Sequence, residues 1–153
     1  MDGKIRIRDF TPSDADSLLR IHEQSAEHFE DLGINRGFII NISQRADFRF
    51  LVAELGGDVV GFIGFLYHIN VGRGEIGPVC VEKRFNGRGF GSLLLESSFS
   101  FLKERGVSRV IARVKEGNTA GLRFFEGNGF SREGFFERYT SKGEDVVQIV
   151  KFI

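Results

Sequence analysis

Apolar and charged positions alternate from the start of the chain. Ile5, Ile7 and Phe10 are separated by Arg6, Arg8 and Asp9, the period of a half-buried strand. The period changes at Thr11-Pro-Ser-Asp14, which offers a cap, a first-turn proline and an acid at the third helical position. Leu18, Ile21, Ser25 or Ala26, and Phe29 then share a helical face to about Asp31, and Gly33 ends it. Residues 33–47 hold no clean period and are expected to form a loop with a short second helix, a suitable place for a substrate lid. Strands over 50–55 and 59–69 flank a Gly56-Gly57-Asp58 turn and predict an antiparallel hairpin. Arg73-Gly74 turns the chain into a strand from Glu75 to Val81. A helix follows a glycine-rich loop, with Phe90, Leu94, Ser97 and Phe101 on one face, and ends near Gly106. The apolar run Val107–Val114 after it makes a strand-helix-strand crossover with parallel strands. A short helix from Thr119, capped by Asn118, reaches the break at Gly127–Gly129, and strands over 130–139 and 145–152 close the chain around a Ser-Lys-Gly turn.

Composition narrows the picture. A length of 153 residues with 41% apolar content suits one domain over 1–153 with a single core. Seventeen phenylalanines, two tyrosines and no tryptophan make Tyr67 and Tyr139 conspicuous as sources of specific hydrogen bonds. Lysine plus arginine equals aspartate plus glutamate at 21 each, so no net charge draws the protein to nucleic acid or an anionic membrane. One cysteine excludes an internal disulfide and fits a reducing compartment, with the cytoplasm as the simplest location. No run approaches a signal core or a membrane span. His22, His28 and His68 lack ligand spacing, so no metal is expected.

The chemistry concentrates in Val79-Cys-Val-Glu-Lys-Arg-Phe-Asn-Gly-Arg-Gly-Phe-Gly-Ser92. Gly87, Gly89 and Gly91 remove Cβ atoms that would keep the backbone from a bulky anion, and the helix opening there offers unpaired N–H groups. The arrangement predicts a diphosphate cradle. Its spacing is wrong for a dinucleotide fingerprint, which would place glycine where Ser92 stands, and no Gly-Lys-Ser/Thr follows.

Strand, hairpin, glycine-loop crossover and a late Asn118…Gly129-Phe130 segment together resemble the GNAT superfamily of acyl-CoA-dependent N-acyltransferases, over nearly the whole chain. The family's Arg/Gln-x-x-Gly-x-Gly/Ala signature falls on Asn86-Gly-Arg-Gly89-Phe-Gly91, with Asn86 a departure that leaves Arg84 and Arg88 to supply a cation. The resemblance implies a mixed α/β fold: a bent, mostly antiparallel sheet of about seven strands, a splayed parallel pair in the middle, and helices on both faces. It implies acetyl-CoA as co-substrate, its pantetheine arm paired with the backbone of Val79, Cys80 and Val81 where Pro78 marks a bulge or edge. It also implies the diphosphate on the amides of Gly87, Arg88, Gly89, Phe90, Gly91 and Ser92, with Asn118 close by.

By the same resemblance, direct attack of an amine in a ternary complex is expected, with Glu75 as the base, acting directly or through water. Where many relatives carry a tyrosine to protonate the thiolate, seven residues after the asparagine, this chain has Phe125 against the cofactor. A thiol of pKa about 8.5 leaves acceptably near neutrality, so slower or acid-free chemistry is implied. The segment Arg138-Tyr-Thr-Ser-Lys-Gly-Glu-Asp145 resembles the Tyr-Tyr-x-x-Gly-Glu-Asp strings of protein N-terminal acetyltransferases, among them the ribosomal-protein-alanine subgroup, and makes Tyr139 a substrate-binding residue. Gly-Glu-Asp is equally ordinary turn chemistry. A protein N-terminus is the expected acceptor; a small amine metabolite, a CoA-binding sensor without turnover and a nucleotide-binding module are the alternatives. A monomer or homodimer is expected. Cys80 reads as core filling rather than a nucleophile.

Overall fold

The computed structural model describes residues 3–153. Its strands are β1 (Ile5–Asp9), β2 (Phe48–Leu55), β3 (Asp58–His68), β4 (Arg73–Val81), β5 (Arg109–Lys115), β6 (Ser131–Phe136) and β7 (Val146–Phe152). They form one sheet in the order β1-β2-β3-β4-β5-β7-β6, antiparallel throughout except for the β4–β5 pair. Helices α1 (Ala15–Glu23) and α2 (Arg36–Ser43) cover one face, and α3 (Phe90–Glu104) and α4 (Thr119–Gly127) the other. This is the mixed α/β architecture that the family resemblance implies.

Alternation along the strands splits the apolar residues into two clusters. Phe50, Val52, Phe62 and Cys80 pack with Leu18, Ile21 and Ile39 of the first two helices. Leu51, Ala53, Ile63, Phe65, Val110, Ala112 and Ile149 pack with Leu94, Leu95, Leu102, Leu122 and Phe125 on the opposite face. No helix among the described residues is long and apolar enough to cross a membrane.

Two features of β4 position the site. Its parallel pairing with β5 runs only from Arg73 opposite Arg109 to Ile76 opposite Ala112. Beyond that, β4 stays on β3 through Val81 and β5 stays on β7 through Lys115, so the two strands diverge as a V. The second feature is a bulge: Phe65 pairs with Ile76 but Ile63 pairs with Val79, leaving one extra residue in the Gly77-Pro78 stretch of β4. Pro78 has no N–H to lose there. The neighbouring β3 residue, Gly64, lies under aromatic rings, where a Cβ would come within 2.8 Å of Phe48 Cζ.

Two predicted elements are shorter than their pattern. The first helix stops at Glu23 rather than near Asp31; Ser25 leaves helical geometry at φ −127°, ψ 17°, and residues 26–28 form one 3-10 turn. That break folds Phe29 back to stack on His22 at 5.2 Å and lets Gln24 accept the Lys83 amide at 3.0 Å. The sixth strand ends at Phe136, before Tyr139. Thr140 is buried there, and its hydroxyl donates to the Glu144 carboxylate and accepts the Glu144 amide, both at 3.0 Å, closing a tight loop in place of strand.

Candidate active site

The V between β4 and β5 opens into a cleft of about 580 Å³, walled by Val79–Val81, the loop to α3, the β5 end and α4. Main-chain direction along β4 follows from one bond. The Glu82 amide donates to the Val60 carbonyl at 2.8 Å. By the alternation of an antiparallel ladder, the polar groups of Cys80 then face β3 and those of Val79 and Val81 face the cleft. The three residues expected to pair with a pantetheine arm therefore divide: Val79 and Val81 offer donors and acceptors, whereas Cys80 is committed to β3. Its side chain is buried among α1 and α2 residues, and burial pushes its thiol up to about 12, far from a thiolate at neutral pH.

The glycine loop also divides. Gly87 and Gly89 have φ of +79° and +81°, and a Cβ at either would meet nothing, so glycine serves backbone conformation there. Gly91 serves packing: a Cβ would lie 3.1 Å from the Phe124 ring of α4. Because the first α-helical bond runs from Leu93 N–H to Gly89 C=O, the preceding amides of α3 have no acceptor within the helix, and residues 89–92 line the cleft. Arg88 lies over the Phe85 and Phe90 rings at 5.5 and 5.4 Å, beside the loop. Arg84 also lies over the Phe85 ring, at 4.7 Å, with its Nε bonded to Glu82 at 2.9 Å. Burial works against the Glu82 carboxylate, but hydrogen bonds from Arg20 and Arg84 outweigh it and hold its pKa below the usual range. Asn118 caps α4, accepting the Gly121 amide at 3.0 Å, on the opposite wall. Phe125 is buried edge-on between Phe124 and Phe130, at 5.2 and 5.1 Å, and lines the same cleft.

Across β4 lies a second cavity of about 250 Å³, almost wholly apolar, roofed by Leu32, Ile34, Phe38 and Ile42 and floored by Glu75–Pro78. The loop and short helix expected over residues 33–47 supply this roof. The two cavities share Gly77, at the bulge where β5 departs. His22 also lines the second cavity, its pKa lowered by burial against a smaller opposing pull from Glu23. Glu75 is half-buried and sits between Leu66 and Ile111 on the flanking strands, inside the sheet rather than at its end.

Arg113 of β5 joins the parts. Its Nη1 lies 3.6 Å from the Glu75 carboxylate and donates to the Tyr139 hydroxyl at 3.4 Å, and its Nε donates to Gln148 Oε1 at 3.1 Å. Glu75, Tyr139 and the cleft are thus brought together from β4, the β6–β7 loop and β5. Sequence reasoning missed Arg113, Gln148 and the α1–α2 residues His28 and Phe29 that line the cleft. The alternation Arg109-Val-Ile-Ala-Arg113 marks one face of a strand, but only the pairing order places that face beside Glu75.

A strand pair splayed around a main-chain cradle, with a carboxylate at the point of divergence, defines an acyl-CoA-dependent acyltransferase architecture. Residues 10–130 match the family model described as acetyltransferase (GNAT) family, and the chain belongs to that family of N-acetyltransferases. An N-alpha-acetyltransferase of Sulfurisphaera tokodaii is 26% identical, over 92% of this chain and 88% of its own. Ard1 from Thermoplasma volcanium has the same fold at a TM-score of 0.86, with 25% identity over 97% of each chain. A ribosomal-protein-alanine N-acetyltransferase of Brucella melitensis superposes at 0.80, with 26% identity, covering 97% of this chain and 99% of that one.

Proposed function

We propose that this protein transfers an acetyl group from acetyl-CoA to the α-amino group of a peptide or protein N-terminus, by direct attack within a ternary complex. The observation that carries the reading is the meeting of two unlike cavities at Gly77, one lined by the glycine loop and the start of α3, the other almost wholly apolar with Glu75 in its wall. The residues fit the co-substrate. The Gly87–Ser92 amides and Arg88 would hold the diphosphate, the Val79 and Val81 main chain the pantetheine arm, and Asn118 and Phe125 the opposite side. When bound, acetyl-CoA supplies the thioester carbonyl that the amine attacks and the thiol that leaves.

Glu75 takes the proton from the incoming amine, directly or through water. An α-amino group of pKa roughly 7.7–8.0 is partly neutral at physiological pH, whereas a lysine amine of roughly 10.4 is almost wholly charged. A half-exposed carboxylate is therefore sufficient for the former. The Val81 amide, turned to the cleft, stabilises developing negative charge on oxygen. Cys80 takes no part, so no covalent acyl-enzyme forms. Relatives whose names specify N-alpha or ribosomal-protein-alanine acetylation support a polypeptide acceptor. The apolar roof supports it too, because it accepts a side chain next to the amine. The test is a CoA-release assay over N-terminal peptides, lysine side-chain amines and small metabolite amines. Turnover is expected on free α-amino peptides and is lost when the N-terminus is blocked; turnover on small amines alone would refute the reading.

A further inference from the structure

Arg109, Arg113 and Lys115 share one face of β5 by their period of two, and their neighbours treat them differently. Arg109 pairs with Glu133, and Lys115 with Glu144 at 3.2 Å, so both have a carboxylate in direct contact. Arg113 gives its hydrogen bonds to neutral groups, the Gln148 carbonyl oxygen and the Tyr139 hydroxyl, and its ion-pair partner Glu75 lies 3.6 Å away. Its side chain keeps about 38% of its surface exposed, beside Glu75 and Tyr139. No role assigned so far uses that charge.

Resting on the peptide reading above, we propose that Arg113 is a specificity-determining residue that selects acceptors with an acidic side chain directly after the N-terminal residue. An amine delivered to Gly77 beside Glu75 leaves the next residue about one extended step, roughly 3.5 Å, farther along the acceptor. Arg113 stands at a comparable distance from Glu75. Once Glu75 has accepted the amine's proton, its charge no longer balances the guanidinium, which then faces the acceptor with neutral hydrogen-bond partners. An aspartate or glutamate there restores the balance through a charge-assisted, two-pronged pairing. A lysine or arginine at the same place meets a like charge. Because the group is partly in water, the discrimination is modest and screened by salt.

The test compares three peptides differing only in the second residue, aspartate, asparagine or lysine, with the wild-type protein and with Arg113→Met and Arg113→Lys. Wild-type kcat/KM is expected to be about tenfold higher for aspartate than for lysine at low salt, and the ratio is expected to shrink toward one at high salt. Arg113→Met is expected to abolish the ratio, and Arg113→Lys to retain part of it. Acetylation of all three peptides at equal efficiency by the wild type, or an unchanged ratio in Arg113→Met, overturns this inference and leaves the peptide reading standing. Failure to acetylate any peptide, with small amines turned over, overturns both. The wild-type salt series needs no variant, so a misfolded Arg113→Met does not rescue the idea.

Discussion

The two cavities on either side of β4 are made of different parts of the polypeptide. The donor cleft brings main-chain groups into its wall, with left-handed glycines at 87 and 89, first-turn amides of α3 that have no acceptor within the helix and the outward-facing groups of Val79 and Val81, beside the rings of Phe85, Phe90, Phe124 and Phe125. The acceptor pocket is walled by side chains from α1, α2, β2, β3 and β4, and its carboxylate comes from Glu75. Backbone recognition suits a ligand that every turnover must accept unchanged, because amides present the same dipoles whatever side chains surround them. Side-chain recognition suits the partner that distinguishes one acetyltransferase from another. Substitutions should therefore move the two binding constants independently.

The donor side and the chemical step are expected to give the largest effects, of similar size. Gly89→Val forces a β-branched residue into φ +81°, where no Cβ clash exists and the cost lies wholly in the backbone. Acetyl-CoA affinity is expected to fall on the order of 100-fold by calorimetry, with the loop realigned and its amides misdirected. The chemical step comes next. Glu75→Gln is expected to lower kcat by about 10²-fold on peptide acceptors, at the low end for loss of a general base, with acetyl-CoA affinity unchanged. Equal loss of cofactor binding would mean that Glu75 belongs to the donor side after all.

The acceptor side should respond more gently. Phe38→Ala removes part of the roof at a half-buried helix position, and the KM for an apolar-headed peptide is expected to rise about three- to tenfold with kcat and acetyl-CoA affinity little changed. A control lies outside both cavities. Asp14 accepts two hydrogen bonds from Arg8 at 2.9 Å and one from the Thr11 amide at 2.8 Å, tying β1 to the start of α1. The Arg8 hydrogen bonds hold its carboxyl below the ordinary value of 3.8, against the opposing effect of burial. A folded-state pKa depressed below the unfolded one gives stability that is present above about pH 4 and lost as pH falls through the folded value. Asp14→Asn is expected to cost about 1–3 kcal/mol by denaturant titration at pH 7 and to approach the wild type as pH falls through the folded-state value of Asp14, with both binding constants unaffected.

The same contrast explains what could be read from the sequence. Strand periods, the cap at Asn118, the proline at 78 and the glycines of the loop are local signals; they located the hairpin and the crossover and left Pro78 as a bulge or an edge, which the pairing resolves as a bulge. They did not separate the work of Gly87 and Gly89 from that of Gly91, which depends on where the Phe124 ring of α4 comes to rest. Nor did they show that the first helix ends at Glu23, since Phe29 continues the helical period while stacking on His22 from outside the helix. Glu75 was legible as a carboxylate on the strand proposed to bear the thioester. Its neighbour Arg113 was not, because the two are 38 residues apart in sequence and meet through the parallel pairing of β4 with β5.

A crystal structure of the protein with coenzyme A tests the central claim most directly. The account predicts diphosphate oxygens within about 3 Å of amides between residues 87 and 92, and pantetheine amides paired with the main chain of Val79 and Val81 inside the V. Coenzyme A bound across β4 in the apolar pocket, or a diphosphate held away from that loop, would contradict it.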